Sequence, residues 1–340
     1  MKRLHQFGMD KKMPKSLTQL VEQNYPVRLS NLESIHLFES NERGVYKVER
    51  LDGPPLLLRA GRAGATAMDR FIGIARALDV LAAVGFPAPS VQRTNADDLL
   101  AANDDWIVLL LTFIEGELIS DSLADMTAMG EMLAQLHLLE PDELRKIQPA
   151  IPDCRYYPKE KLKPWLENLR AVAELVPPEL ESRYQFCVKA VTSLLAWPEL
   201  PVSILHSDCN PQNAIRATNG QITFIDWDGI GFGPAVLDLA YLLFYCHICQ
   251  KSWPTIEPNK AWIGAVLRGY EQHRALSSLE VEHLPDAIAL VECHHLARGL
   301  PTAVQGDWTQ DRGLTRFYGR EEIVTQITQI ALAYYGNIAY

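Results

Sequence analysis

The pattern of apolar and polar positions is strand-like in three short blocks from about residue 28 to 60: IHLFES, GVYKVER and PPLLLRAG. These predict strands, and Leu51-Asp52-Gly53-Pro54 supplies the turn between the last two. The pattern then becomes helical. Phe71, Ile74, Leu78 and Leu81 recur on one helical face, predicting a helix over 66–84 that Gly85 ends and Pro87 and Pro89 prevent from continuing. PSVQRT and WIVLLLTFI read as two more strands, and Leu17, Leu20 and Val21 mark a leading helix within 1–25. Beyond Glu115-Gly116 the pattern turns mainly helical. Met129, Met132, Leu133 and Leu136 form one stripe over 128–140, and further helices are predicted near 160–173, 178–196, 235–249, 259–274, 278–298 and 320–335. Ser277 and Glu280 have the spacing of a capping box for the helix from Ser278.

The chemistry concentrates in SILHSDCNPQN, residues 203–213, followed nine residues later by TFIDWD. His206, Asp208 and Asn213 reproduce H-x-D-x-x-x-x-N between apolar flanks, and Asp226 ends the next strand-like run. This spacing is the kinase template itself. There, one Asp positions the acceptor hydroxyl and takes its proton, while an Asn and a second Asp hold the metal. A turn in which Asp208 merely caps backbone would not require Asn213 and Asp226 at their positions.

With the buried-helix pattern GPAVLDLAYLLFY after it, the segment resembles the aminoglycoside phosphotransferase and choline kinase superfamily, which includes type II homoserine kinases. Trp227-Asp228 after Asp226 favours that branch over protein kinases. The resemblance implies an α+β, bilobal protein-kinase-like fold. Its N-lobe (1–115) would be an antiparallel sheet with a helix, and its larger, mainly helical C-lobe (116–340) would carry the catalytic loop and acceptor site. It further implies ATP and Mg2+ as cofactors, Asp208 as base, His206 as a brace of the catalytic loop, and Asn213 and Asp226 as metal ligands. Arg59 on the third strand becomes the phosphate-binding cation, a fork where Lys would be a point charge. Gly44, the single glycine of SNERGVYKV, marks the loop over the phosphates. TFIEG takes the place of the hinge, where the Thr112 carbonyl and the Ile114 N–H would read adenine.

Two departures stand out. The helix at 66–84 has Ile74 where the family carries the acid that pairs with the phosphate-binding cation, and offers only Asp69 and Asp79. The phosphate loop is poor in glycine. These features suit the alternative of a nucleotide-binding pseudokinase with a regulatory or scaffolding role. Asp228 is a candidate supporting or substrate-facing acid, Asp238 a candidate for bonding loop backbone or capping the helix after Pro234, and His137 is read as a packing residue. For the acceptor, the C-lobe offers Glu280, Glu282, Glu292, Asp307 and Asp311 with Trp262, Tyr270, Trp308 and Tyr318. Acids suit an aminoglycoside and an aromatic cage suits a quaternary ammonium. GYEQHRALSSLE looks like the homoserine-kinase side of the family.

Composition narrows the partners. The 340 residues carry a net charge of −10 with 48% hydrophobic and 22% charged residues, ordinary for a globular enzyme. This balance argues against nucleic acid and anionic membrane and is compatible with a cationic small-molecule acceptor. MKRLHQFGMDKKM lacks the apolar stretch of a secretory signal, no run approaches the roughly 18 apolar residues of a membrane span, and six scattered cysteines do not make a disulfide framework. A cytoplasmic location is expected; the oligomeric state is not legible. A zinc site built on Cys246-His247-Ile248-Cys249 with Cys293, His294 and His295 is the remaining alternative, opposed by the apolar helical context of the first pair.

Overall fold

A computed structural model describes residues 14–37, 43–154, 156–246, 258–306 and 321–336. The protein is of the α+β class and divides into two units. The first comprises Met1–Glu117, Leu144–Pro152 and Ile215–Asp228; the second comprises Leu118–Glu143, Asp153–Ala214 and Gly229–Tyr340. The first break lies two residues from the expected boundary at 115. The segments Leu144–Pro152 and Ile215–Asp228, which the sequence reading gave to the C-lobe, pack instead with the first unit.

In the first unit α1 (Lys15–Asn24) precedes β1 (Leu29–Leu37), β2 (Arg43–Arg50) and β3 (Leu56–Arg62), followed by α2 (Ala65–Ala83), β4 (Ala101–Ala102) and β5 (Trp106–Thr112). The strands form an antiparallel sheet of order β1-β2-β3-β5-β4. β5 is an unbroken apolar run because it lies inside the sheet and is covered on both faces. Leu17, Leu20 and Val21 of α1 join Tyr46, Val48, Leu58, Val108 and Leu110 in one core, while Phe71, Ile74, Leu78 and Leu81 of α2 are buried as the sequence period requires. The strand expected at PSVQRT is reduced to one bridge, Val91 to Leu111, flanked by the Gln92 N–H on the Leu110 carbonyl and the Thr112 N–H on the Ser90 carbonyl; the Ser90 N–H turns to the Thr112 hydroxyl instead of continuing the ladder, and β4 takes the edge. β6 (Gly116–Leu118), β8 (Ala214–Ala217) and β9 (Ile222–Phe224) make a small sheet of order β6-β8-β9.

The second unit is mainly helical: α3 (Leu123–His137), α5 (Lys163–Ala171), α6 (Glu181–Leu195), α7 (Ala235–Tyr245), α8 (Lys260–Glu271), α9 (Ser278–Ala303) and α10 (Glu321–Gly336). α4 (Pro141–Ile147), which hydrophobic period did not mark, lies at the edge of the returning segment. The capping box at Ser277 and Glu280 is formed. α3 and α8 are packed so closely that a Cβ added at Gly130 would stand 2.1 Å from the Val266 carbonyl oxygen, and one at Gly269 2.0 Å from that of Thr127. β7 (Val202–Leu205) pairs antiparallel with β10 (Gly231–Pro234), and this ribbon delivers the chain into the segment from His206 at one end and into α7 at the other. Among the described residues no helix is long and apolar enough to cross a membrane.

Candidate active site

The candidate catalytic segment leaves β7 at His206, which is fully buried. Its ring Nδ1 accepts the Asp208 N–H at 3.2 Å, so the ring proton belongs on Nε2. Ser207 turns the chain with φ +63°, a left-handed conformation that costs a residue with a side chain. Its hydroxyl is buried without a hydrogen-bond partner. What holds this turn is Asp238, the fourth residue of α7 and almost wholly buried. Its carboxylate accepts the His206 N–H at 2.6 Å and the Ser207 N–H at 2.8 Å. Of the two roles foreseen for Asp238, loop bonding is observed; α7 has no side-chain cap at Pro234.

Asp208 itself is gripped by three donors. Asn213 gives Nδ2 to Oδ2 at 2.8 Å, Asn210 gives Nδ2 to Oδ1 at 3.0 Å, and Tyr241 of α7 donates its hydroxyl to Oδ1 at 2.5 Å. Asn213 also bonds the Asp208 carbonyl at 3.0 Å, so both amide hydrogens are spent on Asp208 and Oδ1 remains to meet a cation. Asn210 starts the short turn Pro211–Asn213 by accepting the Gln212 N–H. Burial pushes the Cys209 thiol well above its ordinary range, with Asp238 and Asp208 adding to the effect, so it is an inert donor to the Asp238 carbonyl.

Behind Asp238 lies a polar chain that apolar periodicity hid. His137 is not a simple packing residue: Nδ1 meets the Tyr270 hydroxyl at 2.8 Å, and Nε2 faces Asp238 at 3.5 Å. Burial lowers its pKa against the pull of Asp238. Arg274 joins the Tyr270 hydroxyl at 3.0 Å to Glu280 at 2.7 Å, and Glu280 closes the capping box with Ser277. Tyr270 and Glu280, named as acceptor candidates, are therefore buried structural groups. Glu292 is buried too, whereas Asp307, Trp308, Asp311 and Tyr318 lie outside the described residues.

The first unit holds the other candidates. Arg59 on β3 places Nη1 3.2 Å from Oδ1 of Asp226 and pairs through Nη2 with Oδ1 of Asp228. The second contact is a close approach of charges without aligned hydrogen-bond geometry. The acids missing from α2 are thus supplied from after β9. Asp226 has φ +61°, and the next side chain, Trp227, is buried edge-on to Phe86 with its indole N–H on the Phe224 carbonyl. Half of the Asp226 side chain is exposed. Gly44 is the second residue of β2, in register with Leu37 and Ala60, rather than part of the connecting turn; residues 38–42 lie outside the described residues. A Cβ there would meet the Tyr46 ring at 2.6 Å, so the glycine gives that ring room. Thr112 ends β5 with its N–H on the Ser90 carbonyl and its hydroxyl accepting the Ser90 N–H; Ile114 follows, half-buried.

Magnesium takes hard oxygen donors and usually keeps water and substrate phosphate among its ligands. Each by its own chemistry, the Asn213 side-chain amide oxygen and the half-exposed Asp226 carboxylate are donors of that kind. Among the described residues no three His, Cys, Asp or Glu side chains converge on a metal position, and Cys246 and Cys293 are buried and in no disulfide, which gives the zinc alternative no support. His247 to Cys249 lie outside the described residues.

A model of the phosphotransferase enzyme family matches residues 34–279. The homoserine kinase of Methylocella silvestris is 28% identical over 262 residues, 75% of this chain and 73% of that protein. An amicoumacin kinase solved with AMP-PNP and Ca2+ superposes with a TM-score of 0.64 at 14% identity, over 96% of this chain and 94% of the other. A spectinomycin phosphotransferase in complex with ADP and spectinomycin gives 0.61 at 14% identity, over 96% and 99%.

Proposed function

The chain belongs to the phosphotransferase enzyme family, and from that premise we propose that it moves the γ-phosphate of ATP to the hydroxyl of a small amino alcohol, homoserine being the first to test. The supporting observation is the triple grip on Asp208, which fixes a carboxylate at the head of a strand-loop-helix unit where a hydroxyl can reach it. The acceptor class follows the homoserine kinases among its relatives; an aminoglycoside is the second choice, favoured by the spectinomycin enzyme's fold.

In this reading Asp208 orients the acceptor hydroxyl and takes its proton. The acceptor oxygen bonds to the γ-phosphorus as the bond from that phosphorus to the β,γ-bridging oxygen breaks, leaving ADP. Asn213 and Asp226 would hold magnesium, which when bound neutralises phosphate charge. Arg59 offers two N–H groups to phosphate oxygens, oriented by Asp228. His206 braces the backbone N–H of Asp208 and moves no proton of the substrate. Main-chain groups at Thr112 and Ile114 read adenine.

The test is ATP turnover against homoserine, aminopropanol, choline and aminoglycosides, with Asp208→Asn beside the wild type. Transfer to an amino alcohol that drops at least about a hundredfold in the variant supports the proposal. ATP binding without transfer to any acceptor, or near-normal turnover in Asp208→Asn, sinks it.

A further inference from the structure

We propose that Tyr241 is a positioning residue that decides which oxygen of Asp208 receives the acceptor's proton. The chemistry rests on the phosphoryl-transfer reading above; the contact rests on geometry alone.

An ionised carboxylate offers about two acceptor positions on each oxygen. On Asp208, Oδ1 has both filled, by the Tyr241 hydroxyl at 2.5 Å and the Asn210 amide at 3.0 Å. Oδ2 has one filled, by Asn213 at 2.8 Å. A single position is left, and it is on Oδ2. The acceptor hydroxyl therefore docks there, and its proton passes to Oδ2 as the acceptor oxygen bonds to phosphorus and ADP departs with the electrons of the broken bond.

Tyr241 is built to hold this arrangement. Its ring stacks on Tyr245, one helical turn further along α7, with centroids 4.4 Å apart and planes 23° from parallel. Burial, then the neighbouring Tyr245 and Asp208, push the phenol far above its ordinary range, so it remains a donor. Asp238 lies three residues earlier on the same helix and holds the His206 and Ser207 amides. One face of α7 thus sets both the backbone of the catalytic loop and the rotation of its carboxylate. Loss of the hydroxyl frees Oδ1 to compete for the acceptor proton in a second, less productive orientation.

The experiment is Tyr241→Phe, which keeps the ring stack and removes one oxygen. Expected are a kcat about tenfold lower, KM for ATP within about twofold of wild type, and a thermal midpoint unchanged within about 2 °C. An unchanged kcat overturns the proposal, as does a loss that follows the midpoint alone. A second measurement needs no turnover. In protein labelled at tyrosine Cζ with 13C, the Tyr241 resonance, recognised by its absence from a Tyr241 variant, should move on Asp208→Ala. A resonance that stays in place means there is no such bond and overturns the proposal. If the wild type transfers phosphate to none of the acceptors, the proposed function fails, and the resonance still decides whether Tyr241 holds the carboxylate.

Discussion

Nη1 of Arg59 lies 3.2 Å from Oδ1 of Asp226, so the candidate phosphate-binding cation and a candidate metal ligand are partners. Asp228 holds the other arm of the same guanidinium. Arg59→Lys keeps the charge and loses the fork that serves two acids at once. The expected result is a KM for ATP raised by about five- to tenfold, with kcat less affected, because a cation that orients phosphate contributes to ground-state binding. Asp228→Asn should raise KM in the same direction. Steady-state kinetics at saturating acceptor measures both.

Asp238 accepts two adjacent loop N–H groups, those of His206 and Ser207. In Asp238→Asn one carboxylate oxygen becomes a donor and confronts one of them. Loss of about 3 kcal/mol in stability is expected from breaking a buried, charge-assisted pair of bonds, and kcat should fall by about a hundredfold or more as Asp208 loses its fixed place. Urea denaturation and turnover of the folded fraction separate the two effects.

Ser207→Gly should stabilise the protein. The φ of +63° is free of steric cost for glycine, and the substitution removes a buried hydroxyl that has no partner. Against this stands the larger entropy of glycine in the unfolded chain. A net gain of about 0.5–1 kcal/mol in chemical denaturation is expected, with turnover kept because the Ser207 N–H still reaches Asp238.

Gly269→Ala should do the reverse. The new Cβ would lie 2.0 Å from a backbone oxygen of α3, and no side chain can swing away to relieve it. The two helices must separate, and a loss of about 2–3 kcal/mol is expected from the overpacked contact. Gly264→Ala, where the nearest atom is the movable end of Arg268 at 3.1 Å, serves as the control on the same helix.

His137 predicts how stability follows pH. Burial lowers its pKa from the ordinary 6.5, so between the folded and unfolded values the unfolded chain binds the extra proton. The contribution of His137 is therefore complete above about 6.5 and is lost progressively as pH falls below it, until the folded value is passed. His137→Gln, which cannot charge, should show a shallower fall in thermal midpoint between about pH 7.5 and 5.5 than the wild type. An equally steep fall would assign the acid sensitivity elsewhere.

The strands at 43–50 and 56–62, the helix at 65–83 and the apolar strand at 106–112 were readable from period alone, because each buries one face or two and the period records which. α4 was not, since seven residues are too few to display a helical stripe. PSVQRT was overread: its apolar and polar positions resemble a strand, but the Ser90 N–H goes to the Thr112 hydroxyl and a single bridge, Val91 to Leu111, remains.

In the candidate site, His206, Asp208, Asn213 and Asp226 were legible because the kinase template spaces them along one segment. Tyr241 was passed over inside GPAVLDLAYLLFY, where one tyrosine among leucines reads as core; its position three residues after Asp238 was the available signal. His137 and Tyr270 look apolar-facing by period, and their polar ends find each other across 133 residues of chain.

Sequence by itself determined the class of elements, their order and the local catalytic spacing, since these depend on side-chain period and on turn chemistry a few residues long. Tertiary structure alone decided that acids at 226 and 228 serve Arg59, that Asp238 holds the turn at Ser207 instead of capping α7, that Tyr241 grips Asp208, and that Gly130 and Gly269 let α3 meet α8. Each of these joins residues far apart in the chain, through directions that a side chain acquires only when its helix or strand is packed.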